Sequence, residues 1–470
     1  MTHQPQTLLD KLWSQHVVKP LSAAEDLIHV DRFFLHDLSG TIAIPDLRRR
    51  GLTMLSPALN FAVTDHAVST ASGREHHVDA KSRTYVFEMR DLMREAGIRH
   101  FDIGDSDQGI VHVIGPELGL TLPGTTFLCT DSHTCTHGAL GALAWGVGQT
   151  DALHILATQT IVQAKPKSMR IRLDGALPDA VFAKDVILAV IGRFGAGAGA
   201  GYAVEFCGSA VQAMLIEARL TLCNMAVELG SRTGIIAPDT VTTDYLCGRP
   251  YAPSGALWDD AVAAWRELRS DDDASFDRDL SMDLSELSPQ VTWGTSVDQV
   301  LPIDGRVPDP DRATEAKTRA AMADTLDYMG LEPNQPLDGL PVQHVFIGSC
   351  TNGRLSDLKI AADIVRGRKV AEGVRAWVVP GSTAVKRIAE RDGLDRVFKD
   401  AGFAWRESGC SMCSAVNGDT VARGERSIST TNRNFVGRQG PGSRTHLASP
   451  AVAAASALTG AITDPRKLTP

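Results

Sequence analysis

Short apolar runs that break into glycine, serine or proline turns constrain this chain more than any other feature. His344-Val-Phe-Ile-Gly348 and Ala376-Trp-Val-Val-Pro380 are two of them. Each reads as a strand ending in a turn, and helical patterns at Leu355–Arg366 and Thr383–Glu390 lie between and after them. Alternation of this kind predicts α/β units wound around buried sheets. The 42 glycines concentrate beside apolar segments, at Gly138–Gly148, Gly192–Gly201 and Gly437–Gly442, where tight turns are expected.

A chain of 470 residues is too long for one hydrophobic core and predicts several domains. One composition shift divides it. Residues 268–339 are rich in Asp, Pro and Ser, including Ser270-Asp-Asp-Asp-Ala and Val307-Pro-Asp-Pro-Asp-Arg312. Segments like these bury little and usually connect domains. A softer boundary falls at Ala164-Lys-Pro-Lys. The expected division is an α/β domain over 1–165, a second over 166–290, a linker over 291–339 and a third α/β domain over 340–470. No period of 20–50 residues suggests a solenoid.

The formal net charge of -9 argues against a nucleic-acid-binding surface. It does not bar an anionic substrate, because a local group of arginines overrides the global sign. No apolar stretch is long enough to span a membrane, and the N-terminus lacks the basic and apolar regions of a signal peptide. A cytoplasmic protein is expected. Eight irregularly spaced cysteines in such a chain do not form a disulfide framework. The five before Cys350 read mainly as small buried hydrophobes.

The strongest chemical signal is the spacing of the other three. Cys350 ends Phe-Ile-Gly-Ser-Cys, and Gly-Cys410-Ser-Met-Cys413 follows sixty residues later. Two cysteines three apart face one centre when they sit in a turn, and a third from a strand end completes three thiolates. Three suit a cubane with one exposed iron, since four would cap every corner. Zinc or a redox dithiol fits the Cys-x-x-Cys as well, although no histidine pair supplies an obvious fourth zinc ligand.

Three further patterns accompany the cysteines. Asn432-Arg-Asn-Phe-Val-Gly-Arg438 places Arg433 and Arg438 among glycine and amides, suited to a carboxylate or to a solvated basic loop. Asp65-His66 and Asp131-Ser-His133 set a carboxylate beside a histidine, and His112 lies within Ile-Val-His-Val. Such pairs orient a general acid, whereas a lone histidine in an apolar run is usually a core residue. Gly199-Ala-Gly-Tyr-Ala-Val-Glu205 lacks the phosphate-loop pattern and reads as a turn delivering Glu205 to a pocket or to the surface.

Together these stretches resemble the aconitase superfamily, and within it the large subunits of the isopropylmalate dehydratase family of leucine biosynthesis. The resemblance runs from about residue 7 to about 465. It is carried by Gln108-Gly-Ile-Val-His-Val, Asp131-Ser-His-Thr-Cys-Thr-His-Gly, Val204-Glu-Phe-Cys-Gly, Ser288-Pro-Gln-Val-Thr-Trp-Gly-Thr, Phe346-Ile-Gly-Ser-Cys-Thr-Asn, Gly409-Cys-Ser-Met-Cys and Thr431-Asn-Arg-Asn-Phe. It implies three aconitase-like α/β domains, in α/β/α layers around a [4Fe–4S] cluster held by Cys350, Cys410 and Cys413.

The roles it implies follow residue by residue. Arg433 and Arg438 would hold a substrate carboxylate or a cluster-side anion. Asp65, His66, Asp131 and His133 would surround and protonate a departing hydroxyl, with His112 and Glu205 completing that shell. The implied reaction is loss of water from a 2-alkylmalate and its return at the neighbouring carbon. The family's swivel domain finds no room in this chain, so a separate small subunit is the implied partner. Ile42, Ala67, Ala200, Tyr202 and Gly353 stand where the pattern has glutamine, asparagine, threonine, histidine and serine. These departures leave the chemistry intact and bear on the substrate, a 2-methylmalate or citraconate among the alternatives.

Overall fold

The computed structural model describes residues 4–74 and 82–468. It forms two compact units, each assembled from separated stretches of chain. The first takes Met1–Val68, Val78–Ala176 and Gly197–Asp283; the second takes Ser69–His77, Leu177–Ala196 and Leu284–Pro470.

In the first unit a five-stranded sheet runs in the order Arg99–Phe101, Asn60–Val63, Arg32–His36, Thr126–Cys129, Leu143–Gly146, every pair parallel. By position in the chain that is third, second, first, fourth, fifth, the order of a doubly wound sheet. Helices cover both faces of such sheets, so the strands bury both sides and read as unbroken apolar runs. Phe34, Phe61, Phe101 and Phe127 come from four of them. The Phe34 ring lies 5.1 Å from those of both Phe61 and Phe127. Each such side chain contributes about 1.5–3 kcal/mol by leaving water. A second parallel sheet of the unit runs Thr233–Ile235, Tyr202–Cys207, Lys167–Asp174, Arg278–Asp283 and repeats the winding as third, second, first, fourth.

The second unit holds another five-stranded parallel sheet: Ala404–Trp405, Arg375–Val378, His344–Ile347, Arg426–Ser429, Arg444–Leu447. The order is again third, second, first, fourth, fifth. Here the sequence expectation of strands at 344–348 and 376–380 meets paired strands, followed by the helices Leu355–Val365 and Thr383–Arg391. The second helix starts where the Ser382 hydroxyl accepts the Val385 N–H.

The Asp- and Pro-rich stretch over 291–339 carries ordered structure of its own. It contributes the strand Val300–Pro302, which pairs with Gln290–Thr292, and the helix Ala316–Met329. That helix buries Leu326 and Met329 and ends at Gly330 in a left-handed turn. Among the described residues no helix is long and apolar enough to cross a membrane, and all eight cysteines are free thiols.

Candidate functional site

In a parallel sheet all carboxyl ends lie along one edge, and ligands bind outside that edge where the winding reverses. In the first unit this edge carries His36 and Asp37 after Arg32–His36, Asp65 and His66 after Asn60–Val63, and Asp131 after Thr126–Cys129. The first and last of these strands flank the reversal. Asp131 then caps the 3-10 segment Ser132–Leu140, its carboxylate accepting the His133 N–H at 2.7 Å. Gly138 allows this segment to press onto its neighbour: a Cβ there would stand 1.9 Å from the Gly234 carbonyl oxygen.

Asp131 is the hub of the cluster. Its Oδ1 accepts from His112 Nε2 at 2.7 Å, and its Oδ2 contacts His66 Nε2 at 3.2 Å. His66 Nδ1 lies 2.6 Å from Asp65 Oδ1. Behind His112 a relay fixes its tautomer. Thr121 Oγ1 bonds His137 Nδ1 at 2.6 Å, and His137 Nε2 bonds His112 Nδ1 at 3.1 Å. Four of the predicted residues, Asp65, His66, His112 and Asp131, thus meet in one hydrogen-bonded group, and His133 joins through its backbone.

Burial alone would suppress the charge on His66. The carboxylates of Asp65 and Asp131 outweigh it and hold the imidazole well above its ordinary range, favouring the protonated form. Burial likewise disfavours charge on Asp131, but hydrogen bonds from His112, His133 and His66 hold it well below the usual carboxylate range. His112 moves the other way, lowered by burial against the pull of Asp131, and stays neutral. Two neighbours of the cluster are shifted as well. Burial and the charge of His66 depress His36 to about 4. Burial and the charge of Asp65 raise Asp37 to about 7. Groups with opposed shifts at one sheet edge are the arrangement acid–base chemistry uses.

The second unit presents its cysteines at the corresponding edge. Cys350 follows the central strand His344–Ile347, Cys410 and Cys413 follow Ala404–Trp405, and Asn432 follows Arg426–Ser429. All three cysteines are buried. Asn432 ties two of them, its Nδ2 donating to Cys350 Sγ at 3.4 Å and its Oδ1 lying 3.5 Å from Cys413 Sγ. Ser349 Oγ reaches Cys413 Sγ at 3.3 Å, and the Cys413 N–H closes the turn onto the Cys410 carbonyl at 3.0 Å.

Two serines beside these cysteines have left-handed backbone, Ser349 at φ 77 and Ser411 at φ 50. Strain of about 1–3 kcal/mol at such positions persists only where the surroundings impose it. For Ser411 the surroundings are visible. Its hydroxyl donates to Asp419 Oδ2 at 2.9 Å, and Asp419 also takes Arg406 Nη2 at 2.6 Å and Thr70 Oγ1 at 2.7 Å.

The three cysteines of this unit suit a group that takes three thiolates. Among the described residues the other five cysteines all belong to the first unit. A buried cation is also at hand, since the Lys184 side chain is fully buried. The geometry therefore fits a [4Fe–4S] cluster bound through Cys350, Cys410 and Cys413, and offers no fourth thiol for a closed zinc site.

The remaining predicted residues fall as follows. Arg433 and Arg438 lie on the loop after Asn432, both partly buried. The loop is fastened by Asn434 Nδ2 to the Gly294 carbonyl at 2.6 Å and by Tyr328 Oη to the Gly437 N–H at 3.0 Å. Glu205 sits within the strand Tyr202–Cys207, where its Oε2 accepts from Ser270 Oγ at 2.7 Å. Ser270 lies outside the Asp131 cluster. Of the positions that depart from the family pattern, Ala67 is buried and Ile42 is half exposed. At Gly353 a Cβ would stand 2.8 Å from the Ser349 carbonyl oxygen, so serine there requires a shifted backbone.

The sequence reading missed several residues. Glu228 Oε1 lies 2.8 Å from His133 Nε2 and is the carboxylate that completes this group. It stands in Cys223-Asn-Met-Ala-Val-Glu228-Leu, where a lone acid inside an apolar run was the only available signal. His137 lies in the stretch Asp131-Ser-His-Thr-Cys-Thr-His-Gly, where its sequence neighbours do not reveal the bond to His112. Lys184 and Asn432 carried no sequence signal beyond their neighbours.

Two doubly wound sheets, each with a reactive polar group at its carboxyl edge, define an α/β enzyme with acid–base and thiolate chemistry. The chain belongs to the aconitase family: the family model described as aconitate hydratase matches residues 10–460. It is similar to "3-isopropylmalate dehydratase large subunit 1" of Bradyrhizobium diazoefficiens, 58% identical over 462 residues, 98% of this chain and 97% of that protein. The "3-isopropylmalate dehydratase large subunit" of Roseiflexus castenholzii is 49% identical over 468 residues, 98% and 99% of the two chains. Among solved structures, holo aconitase X of Thermococcus kodakaraensis matches 91% of this chain and 89% of that one, at 12% identity and TM-score 0.47.

Proposed function

We infer that this chain is the large subunit of a 3-isopropylmalate dehydratase, a hydro-lyase that interconverts 2-isopropylmalate and 3-isopropylmalate through 2-isopropylmaleate in leucine biosynthesis. Two relatives so named, at 58% and 49% identity over nearly the whole chain, carry the reading. The single structural observation that supports the chemistry is His66 held between the carboxylates of Asp65 and Asp131.

His66 is positioned to give its proton to a hydroxyl that leaves as water. Asp65 and Asp131 hold the imidazolium before transfer, and Asp131 keeps its charge because His112 and His133 remain bonded to it. The neutral His112, locked by His137 and Thr121, supports this shell without competing for the proton. Glu228 orients His133 in the same way. In the second unit Cys350, Cys410 and Cys413 would hold the [4Fe–4S] cluster. When bound, the cluster supplies a Lewis-acidic iron for hydroxyl and carboxylate oxygens. Arg433 and Arg438 suit a substrate carboxylate through their guanidinium forks.

The base that takes the carbon-bound proton belongs, on this reading, to a separate small subunit, and the pair works in the cytoplasm. A related 2-alkylmalate is the second reading, supported by apolar Ile42 and Ala67 at positions where the family pattern is polar. The test is co-expression with the small-subunit gene and anaerobic assay on 3-isopropylmalate, citraconate and 2-methylmalate side by side. The expected result is highest kcat/KM on 3-isopropylmalate. Preference for citraconate or 2-methylmalate selects the second reading, and no turnover of any of the three removes both.

A further inference from the structure

We propose that Lys184 is the buried counter-ion of the iron–sulfur cluster, fixing the cluster's charge balance and its retention. This rests on the cluster reading above.

Lys184 lies in the first turn of the helix Ala183–Phe194 and is 0% exposed. Its Nζ donates to the carbonyl oxygens of Thr430 at 3.0 Å and Thr431 at 2.5 Å. Those carbonyls immediately precede Asn432, whose amide touches the sulfurs of both Cys350 and Cys413. Lys184 therefore anchors the backbone that carries the amide bridging two of the proposed ligands.

Carbonyls are dipoles and do not neutralise a buried ammonium. A cation out of water costs several kcal/mol unless an anion faces it. Among the described residues Lys184 makes no ion pair with a carboxylate. Asp185, its neighbour in sequence, spends its carboxylate on the N–H groups of Gln290 and Phe182. Burial works against the charge of Lys184, and the anionic groups that oppose it most strongly are the sulfurs of Cys413 and Cys350, ahead of Asp357 and Asp185. An oxidised cubane core bound by three thiolates keeps one net negative charge. One buried ammonium matches it. The fold thus sets the buried Lys184 side chain on the backbone beside Asn432, next to the proposed cluster.

Two neutral variants separate charge from hydrogen bonding. Lys184→Met removes both, while Lys184→Gln keeps a donor for the carbonyls. Full-length wild type and variants are reconstituted anaerobically with iron and sulfide. The reduction potential is followed by electron paramagnetic resonance, iron loss to a chelator by absorbance, and unfolding by calorimetry with and without the cluster. Both variants should shift the potential to more negative values and release iron roughly tenfold faster than wild type or more. Without the cluster, neither should unfold at a lower temperature than wild type, because the buried cation then lacks its anion.

Wild-type potential and iron loss in both variants would overturn the counter-ion. So would a Lys184→Gln protein that behaves as wild type while Lys184→Met does not, which leaves only the hydrogen bonds. Equal loss of stability with and without the cluster would also assign Lys184 to structure alone. A wild-type chain that takes up zinc and no iron sinks the cluster reading itself, an outcome read before any variant is compared.

Discussion

Asp131 accepts hydrogen bonds at both oxygens and from three histidines, so its replacement by an amide breaks more than one of them. In Asp131→Asn the amide NH2 faces a donor that the carboxylate used to accept, either His112 or His66. The expected loss is about 10²–10⁴-fold in kcat, the range for general acid–base groups, with KM changed far less. Steady-state kinetics of the complex with its small subunit checks this, and an unchanged kcat would remove Asp131 from the acid's support. Glu228→Gln should also lower kcat, by less, because His133 keeps its backbone bond to Asp131. At this scale the pairing of carboxylates with histidines at 65–66 and 131–133 was legible because adjacency in sequence became adjacency in space. Glu228 and Lys184 were not. A charged residue far from any motif defaults to the surface, and only the packed fold reveals that it is buried against a partner.

Elements carry two tests. The 3-10 segment Ser132–Leu140 approaches the strand Thr233–Ile235 so closely that Gly138 has no space for a methyl group. Gly138→Ala is expected to cost about 3 kcal/mol or more, since the obstacle is a backbone carbonyl and not a side chain that can turn away. Denaturant unfolding reads this directly, and a loss under about 0.5 kcal/mol would contradict the close approach.

The strand Arg444–Leu447 carries the second test. His446 Nδ1 bonds the Thr292 carbonyl at 2.6 Å and Nε2 accepts from Arg426 at 2.8 Å. Burial and the neighbouring Arg426 depress it to about 3, against 6.5 when free. The unfolded chain therefore binds this proton first as the pH falls. The stability that His446 provides over a non-titrating glutamine is complete above about pH 6.5. It then declines by up to about 1.4 kcal/mol per pH unit toward pH 3. The gap between wild type and His446→Gln should narrow between pH 7 and pH 5. A constant gap would contradict the assigned protonation.

Elements were legible where pattern and burial agree. Strands buried on both faces appear as unbroken apolar runs, as at 344–348. The helix Ala316–Met329 escaped because Asp and Pro on both sides resemble a linker, and its apolar face is narrow, with Leu326 and Met329 the buried hydrophobic residues.

Across the molecule one winding recurs. Both five-stranded sheets run third, second, first, fourth, fifth, and each places its reactive residues along the carboxyl edge. The sequence indicated α/β units but carried no strand order, because order depends on which crossover packs against which face. The compact units are likewise stitched from separated stretches, which local composition does not record.

The account stands most directly on the three buried cysteines of the second unit, Cys350 and Cys413 bridged by Asn432 and Cys410 joined to Cys413 through its turn. Iron and acid-labile sulfide per chain, measured after anaerobic reconstitution of the wild-type protein and removal of unbound metal, test them. The account predicts about four of each, as a cubane requires. Stoichiometric zinc with negligible iron and sulfide would contradict it.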